Sequence, residues 1–168
     1  MKYNSIKFKN NFFDTIKVIF LGLFSFFICY YYGFIGITPL DDFVNFNCGY
    51  RILSGDIPFK DYYSITGSFL CFLQSIFYKF FGINWSSLVI HASFFNLFLC
   101  LSFFFFLKKF GIPNYLIILF CLCISILGYP NNGVPGVDHH SWILSLCSIL
   151  FFYLGLMKKN KKFLIIST

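Results

Sequence analysis

The chain reads as an all-α, polytopic membrane helical bundle, and three observations carry that reading. Only 11% of its residues are charged while 58% are hydrophobic. Apolar runs near the roughly twenty residues needed to cross a hydrocarbon core recur along it. The lysines gather where those runs end. A soluble domain carries about 25% charge. This chain has too few polar groups to cover a surface in water, so lipid is its expected solvent. The net charge of +7 then belongs to helix ends, where basic residues set topology and touch anionic headgroups. Membrane lipids are expected partners, and nucleic acid is not.

The first span is expected at residues 18–37, behind Lys2, Lys7, Lys9 and Lys17. Its apolar run is longer than the core of a cleavable signal peptide and ends in the interfacial belt Tyr30-Tyr31-Tyr32, which marks an uncleaved signal anchor. Further spans are expected at 86–107, closed by Lys108-Lys109, at 114–130, and at 141–157, closed by the lysines of 158–162. The segment 67–81 would reach only about 22 Å as a helix, against a hydrocarbon core of about 30 Å. It is also amphipathic, with Ser68, Cys71, Ser75, Tyr78 and Lys79 on one face and Phe69, Leu73, Ile76 and Phe80 on another. If it spanned, both later lysine patches would face outward. If it lies along the interface, ten of the thirteen basic residues are cytoplasmic, and only Arg51, Lys60 and Lys79 are outside. The interfacial reading is preferred. It gives a single membrane domain over 1–168, with four spans, outer loops at 38–85 and 130–140, and a cytoplasmic N-terminus. A new apolar run starts at 163–168, as in the amino-terminal part of a longer protein.

The same sorting places five of the six acids, Asp41, Asp42, Asp56, Asp61 and Asp138, on the outer side. In the first outer loop, Thr38-Pro39-Leu40-Asp41 reads as a helix start, with Thr38 as N-cap and Pro39 at the first helical position. This interfacial helix is expected over 39–54, stopping at Gly55. Phe43, Phe46, Tyr50 and Leu53 share one face of it. Asp41 and Asp42 fall in its first turn, where acids complement the helix dipole. They point about 100° apart, so one can cap while the other faces a cavity. The second outer loop ends in Asp138-His139-His140. Asp138 suits an N-cap, but a cap needs no histidines. The His pair adds ligating and proton-transferring groups at the same depth. His91, alone in a span, reads as a helix-packing residue. Of the seven cysteines, most lie in apolar runs and act as small hydrophobes. Cys48 alone reads as loop-borne, so no disulfide framework is expected.

The run 41–63, DDFVNFNCGYRILSGDIPFKDYY, followed by a short helix ending Phe81-Gly82, resembles the amino-terminal region of GT-C superfamily membrane glycosyltransferases. The nearest pattern is that of the protein O-mannosyltransferase and aminoarabinose-transferase-like group. The matching positions are Asp41 or Asp42, Gly49, Gly55, Pro58, Phe59 and Asp61, and the likeness covers about residues 15–140. Two positions depart from the pattern: Thr66-Gly67-Ser68 stands where a proline step is usual, and His91 where a basic residue is usual.

The resemblance implies an inverting enzyme that moves a sugar from a polyprenyl-phosphate donor to a lipid, glycan or protein acceptor. The reaction would occur at the outer face of a bacterial inner (plasma) membrane. Asp41 or Asp42 would be the base and Asp138 the partner acid. Arg51, Lys60, Asp61, His139 and His140 are candidate substrate-binding residues. A divalent metal ion is the one cofactor implied, with Asp138 and His139 as candidate ligands. The alternative is a non-catalytic polytopic protein, a transporter or scaffold fragment. A scaffold predicts that the two outer loops stay apart, whereas the enzyme predicts that Asp41 or Asp42 lies near Asp138 across one cavity.

Overall fold

A computed structural model describes residues 12–37, 39–64, 67–129 and 133–158. Its six helices are α1 (Phe12–Tyr32), α2 (Pro39–Leu53), α3 (Phe69–Phe81), α4 (Trp85–Lys109), α5 (Asn114–Leu127) and α6 (Val137–Lys158), and no strand occurs among the described residues. Three helices are long and apolar enough to cross a membrane: α1, α4 and α6. Their exposed surfaces carry Phe20, Leu23, Phe27, Phe98, Phe105 and Phe152, while Ser25, Ser93, Asn96 and Ser125 are buried. Apolar groups outside and polar groups inside is the arrangement expected of a bundle whose solvent is lipid.

The boundaries differ from those expected, for local reasons. α1 starts six residues before position 18 because Asp14 is neutralised there. Lys17 bonds it at 3.3 Å and Lys108 at 2.6 Å. α1 stops at Tyr32 rather than 37: Gly33 N makes the last i→i−4 bond, to Cys29 O, and Phe34 N and Ile35 N turn instead to Tyr31 O and Tyr32 O. α4 opens on an Asn84 cap, whose side chain accepts from Ser87 N at 2.9 Å. α5 ends at Leu127, short of the expected 130, and its 14 residues reach about 21 Å. α5 is therefore a shorter apolar helix within the bundle rather than one of the three long ones. α6 starts at Val137 rather than 141, so Asp138, His139 and His140 lie in its first turn and not in a loop. The run at 163–168, the Thr38 cap and residues 130–132 lie outside the described residues.

α4 is the centre, packing against α1, α3, α5 and α6. It runs antiparallel to α1 and is tied to it at three levels. Lys108 meets Asp14 at one end. Trp85 Nε1 donates to Gly33 O at 2.8 Å at the other. In the middle, Asn96 Nδ2 donates to Ser25 O and Ser125 O, each at 2.9 Å, while Ser25 Oγ donates to Asn96 O. The start of α1 and the end of α4 therefore lie at one end of the bundle. The segment between them leaves from the other end and returns to it. α2 and α3 both belong to that returning segment, in line with a non-spanning 67–81.

α3 is amphipathic in the way its sequence implies, and its more polar face is the inner one. Cys71, Gln74, Ser75 and Tyr78 are buried, and Phe69, Phe72, Ile76 and Phe80 are exposed. The observed helix starts at Phe69, two residues late. α2 ends at Leu53, one residue short of its expected end, and the chain turns at Gly55, whose φ of 99° is easy only for glycine. α2 lies close on α3 because Gly49 has no side chain. A Cβ there would come within 2.6 Å of Gln74 Cγ.

Gly128 makes the tightest demand on this packing, since a Cβ there would run into the amide oxygen of Asn96. Gly128→Ala should therefore destabilise the detergent-solubilised protein by about 1–3 kcal/mol, read as a lower thermal midpoint. Gly36→Ala, with nothing within 4 Å, should stay within about 0.5 kcal/mol of wild type. Equal midpoints for the two would mean that the Asn96 tie is not tightly enclosed.

Candidate functional site

The end of the bundle opposite Lys108 carries the acids picked out from the sequence. Asp41 and Asp42 open α2 and separate as their 100° offset requires: Asp41 is exposed and Asp42 is only 3% exposed. Asp42, Asn45 and Gly49 form the buried stripe of α2. Asn45 Nδ2 crosses to Pro135 O at 2.8 Å, and Phe46 packs against the cluster of Leu88, Val89 and Val134. The two connecting segments thus meet, joined three residues after Asp42 and three before Asp138. Asp138 itself is exposed in the first turn of α6. Gly133 reinforces the junction from α1. Its φ is 53°, and a Cβ on it would fall within 2.9 Å of Gly33 Cα.

The turn after α2 is organised by its own side chains. Arg51 Nε bonds Asp56 Oδ2 at 2.8 Å, and its guanidinium lies 4.6 Å from the Tyr62 ring centre. Asp61 Oδ2 accepts from Ile57 N at 2.8 Å, closing the turn back on its start. Pro58 pairs with Tyr62, and Phe59 holds a left-handed φ of 65°. Partial burial and nearby Asp56 raise the Tyr62 phenol, with Arg51 opposing them. Arg51 and Asp61 therefore shape this turn. Lys60 is exposed there beside the outward-facing Ile57, Phe59 and Tyr63.

The two histidines of α6 part company. The His139 ring stacks on Tyr129 at 4.9 Å. His140 turns into the bundle, 3% exposed, and its Nε2 lies 3.2 Å from His91 Nε2. His91 Nδ1 in turn meets Gln74 Oε1 at 2.8 Å. Burial lifts the Tyr129 phenol well above its ordinary range, and the nearby Cys29 adds to this. It therefore stays protonated beside His140. Reading the sequence alone treats His91 as an isolated packing residue. The pairing arises because α4 and α6 run parallel, as the later Phe106–Tyr153 contact also shows, and bring positions 91 and 140 to one depth. Gln74, the one amide in α3, was the available signal.

Among the described residues no three His, Cys, Asp or Glu side chains gather closely enough to hold a metal ion. Asp138 and His139 thus lack a third ligand, and no step below runs through a metal.

One expectation is corrected outright. Cys48 of α2 and Cys71 of α3 form a disulfide, with Cα atoms 5.2 Å apart, within the usual range. Cys71 sits on the buried face of α3, which turns toward α2, so Cys48 does have a partner. Five cysteines, Cys29, Cys100, Cys121, Cys123 and Cys147, are free. Alkylation of the denatured, unreduced chain should therefore modify those five and spare Cys48 and Cys71, with two more sites appearing after reduction. Intact mass reads the count, and seven modifications without reductant would rule the bond out.

Against known proteins, no family model, curated protein or solved structure matches this chain.

Proposed function

We propose that this chain belongs to a GT-C-type glycosyltransferase that takes a sugar from a polyprenyl-phosphate donor at the outer face of a bacterial inner membrane. The carrying observation is the Asn45–Pro135 bond. It joins the helix of Asp41 and Asp42 to the segment that leads into Asp138, at the bundle end away from Asp14 and Lys108. A scaffold needs no such junction. The orientation rests on two further features. The basic residues at the far end fit a cytoplasmic location, and a disulfide between α2 and α3 fits an oxidising side.

In this reading the acceptor hydroxyl attacks the anomeric carbon as the bond to the lipid phosphate breaks, with inversion. The carboxylate of Asp42 or Asp41 takes the hydroxyl proton. Polyprenyl phosphate leaves with its electron pair and needs little acid assistance. Asp42 is the stronger candidate for the base because it faces inward, while Asp41 remains at the surface, and Asp138 is the partner acid. Lys60, Arg51 and His139 supply positive charge or hydrogen bonds to the phosphate. The inward turn of His140 removes it from that group. The exposed Ile57, Phe59 and Tyr63 suit the depth at which a lipid phosphate lies.

The test is transfer from polyprenyl-phosphate sugars by the full-length reading frame in membranes. Asp42→Asn should lower transfer about 10²–10⁴-fold, the usual contribution of a general base, with a smaller loss for Asp41→Asn. Unchanged transfer in both variants and in the double variant would remove the proposed base. A cysteine placed at Tyr63 should react with an impermeant thiol reagent from outside intact cells, and one at Lys108 should not. The reverse pattern would overturn the orientation.

A further inference from the structure

We propose that the cleft between α4 and α6 holds one acyl chain of an anionic phospholipid, with the lipid phosphate at Lys109. The inference is independent of glycosyl transfer.

The cleft measures about 660 Å³ and is bordered by Phe94, Phe98, Leu101 and Phe105 of α4 and by Leu150 and Leu154 of α6. Its two sides are fixed relative to each other. α4 and α6 touch where His91 meets His140 and again where Phe106 meets Tyr153. Phe94, Phe98 and Phe105 stand exposed along the cleft, while Leu150 and Leu154 are buried. Apolar space left empty here would forfeit the dispersion contacts of these side chains.

The cleft is polar at one end. Apart from Ser102, its lining among the described residues is apolar until Lys109. Lys109 is half-buried in the last turn of α4. A lysine in that position runs its methylenes along apolar surface and carries its ammonium to the level of the headgroups. Lys17 and Lys108 stand at the same end, and both bond Asp14. Three lysines against that one carboxylate leave a net positive charge. A slot for hydrocarbon that ends in a cation is the complement of an acyl tail that ends in a phosphate. The sorting of the lysines makes this end cytoplasmic, where anionic lipids give the leaflet its negative surface potential.

Size decides between a lipid tail and a protein occupant. From Phe94 to Lys109 the helix rises about 22 Å. One leaflet's share of a hydrocarbon core of about 30 Å is about 15 Å, so a tail anchored at Lys109 ends within the cleft. Spread over that length, 660 Å³ gives a cross-section of about 30 Å². A helix, about 10 Å across, is too thick to enter such a slot and would only lie over it. A single hydrocarbon tail enters and reaches Leu150 and Leu154.

The test uses the whole chain in phosphatidylcholine nanodiscs that contain a small fraction of brominated lipid, either phosphatidylglycerol or phosphatidylcholine. Bromine on the acyl chain quenches tryptophan fluorescence on contact. Phe98→Trp reports from the cleft. Phe120→Trp reports from the exposed face of α5, at a similar depth because Asn96 of α4 is bonded to Ser125 of α5. Each is read against the parent protein, whose Trp85 and Trp142 stand toward the other end of the bundle. Brominated phosphatidylglycerol should quench Phe98→Trp at about one-fifth of the lipid fraction that brominated phosphatidylcholine needs. That fivefold preference corresponds to about 1 kcal/mol for one lysine at an anionic headgroup. Lys109→Gln should abolish the preference, Lys109→Arg should keep it, and Phe120→Trp should show none. Equal quenching of Phe98→Trp by the two lipids would overturn the proposal, as would a preference that survives Lys109→Gln. So would the same preference at Phe120→Trp, which would be charge attraction to the whole surface. Absence of quenching at Phe98→Trp by either lipid would overturn it too, since protein would then cover the cleft.

Discussion

The antiparallel pairing of α1 with α4 governs everything else in this molecule. In a hydrocarbon solvent, apolar side chains give helices little reason to prefer one another over lipid. The pairing therefore depends on polar ties at defined heights: the Asp14–Lys108 ion pair, the Asn96–Ser25 exchange and the Trp85–Gly33 bond. The middle tie also reaches α5 through Ser125. With both ends of the pair fixed, the chain between them has to emerge and return on one side. This is why α2 and α3 form a unit at a single end. The Coulombic pair at the opposite end is partly buried, so salt screens it less than a fully exposed one.

Much of this was legible in the sequence, and the rest shows what one chain read linearly cannot supply. The start of α2 at Pro39 and the turn at Gly55 followed from local rules, as did the two faces of α3. The boundaries of α1 and α6 did not. Asp14 looks like a reason to begin the helix later, until Lys108, far away in sequence, neutralises it. Asp138, His139 and His140 read as loop residues because Pro135 and Gly136 precede them. The helix nonetheless starts before them, with Gly136 O accepting from His140 N, and the two His rings find Tyr129 and His91 outside α6. At the candidate site the 100° separation of Asp41 and Asp42 was readable, and so was the meeting of the two segments as an expectation of the enzyme reading. The Asn45–Pro135 bond, the Cys48–Cys71 disulfide and the His91–His140 pair were not, because each depends on which helices become neighbours.

The inside of the bundle is polar in a graded way. Near Lys108 it is closed by Leu21, Phe104 and Ile117. At mid-height Asn96 collects two carbonyls, and towards the other end Gln74, His91 and His140 follow one another. Polar groups are expensive at this depth unless paired. Their increase toward the end that holds Asp42 suggests a region shaped for charge rather than for packing alone. Alongside α4 and α6, by contrast, Phe94, Phe98, Leu101, Phe105 and Leu150 border a cleft of about 660 Å³ with little polar surface.

The contact of Gly133 with Gly33 has a mechanical consequence. Backbone lies against backbone there, with no side chain that could rotate aside. The 133–136 segment is further held to α2 by Asn45 and continues directly into α6. A loop anchored at one end can flutter within nanoseconds to microseconds. This rim lacks that freedom, because lifting any part of it drags α1, α2 and α6 along. Opening of this end is therefore a concerted displacement of whole helices, on the microsecond-to-millisecond scale of collective motions.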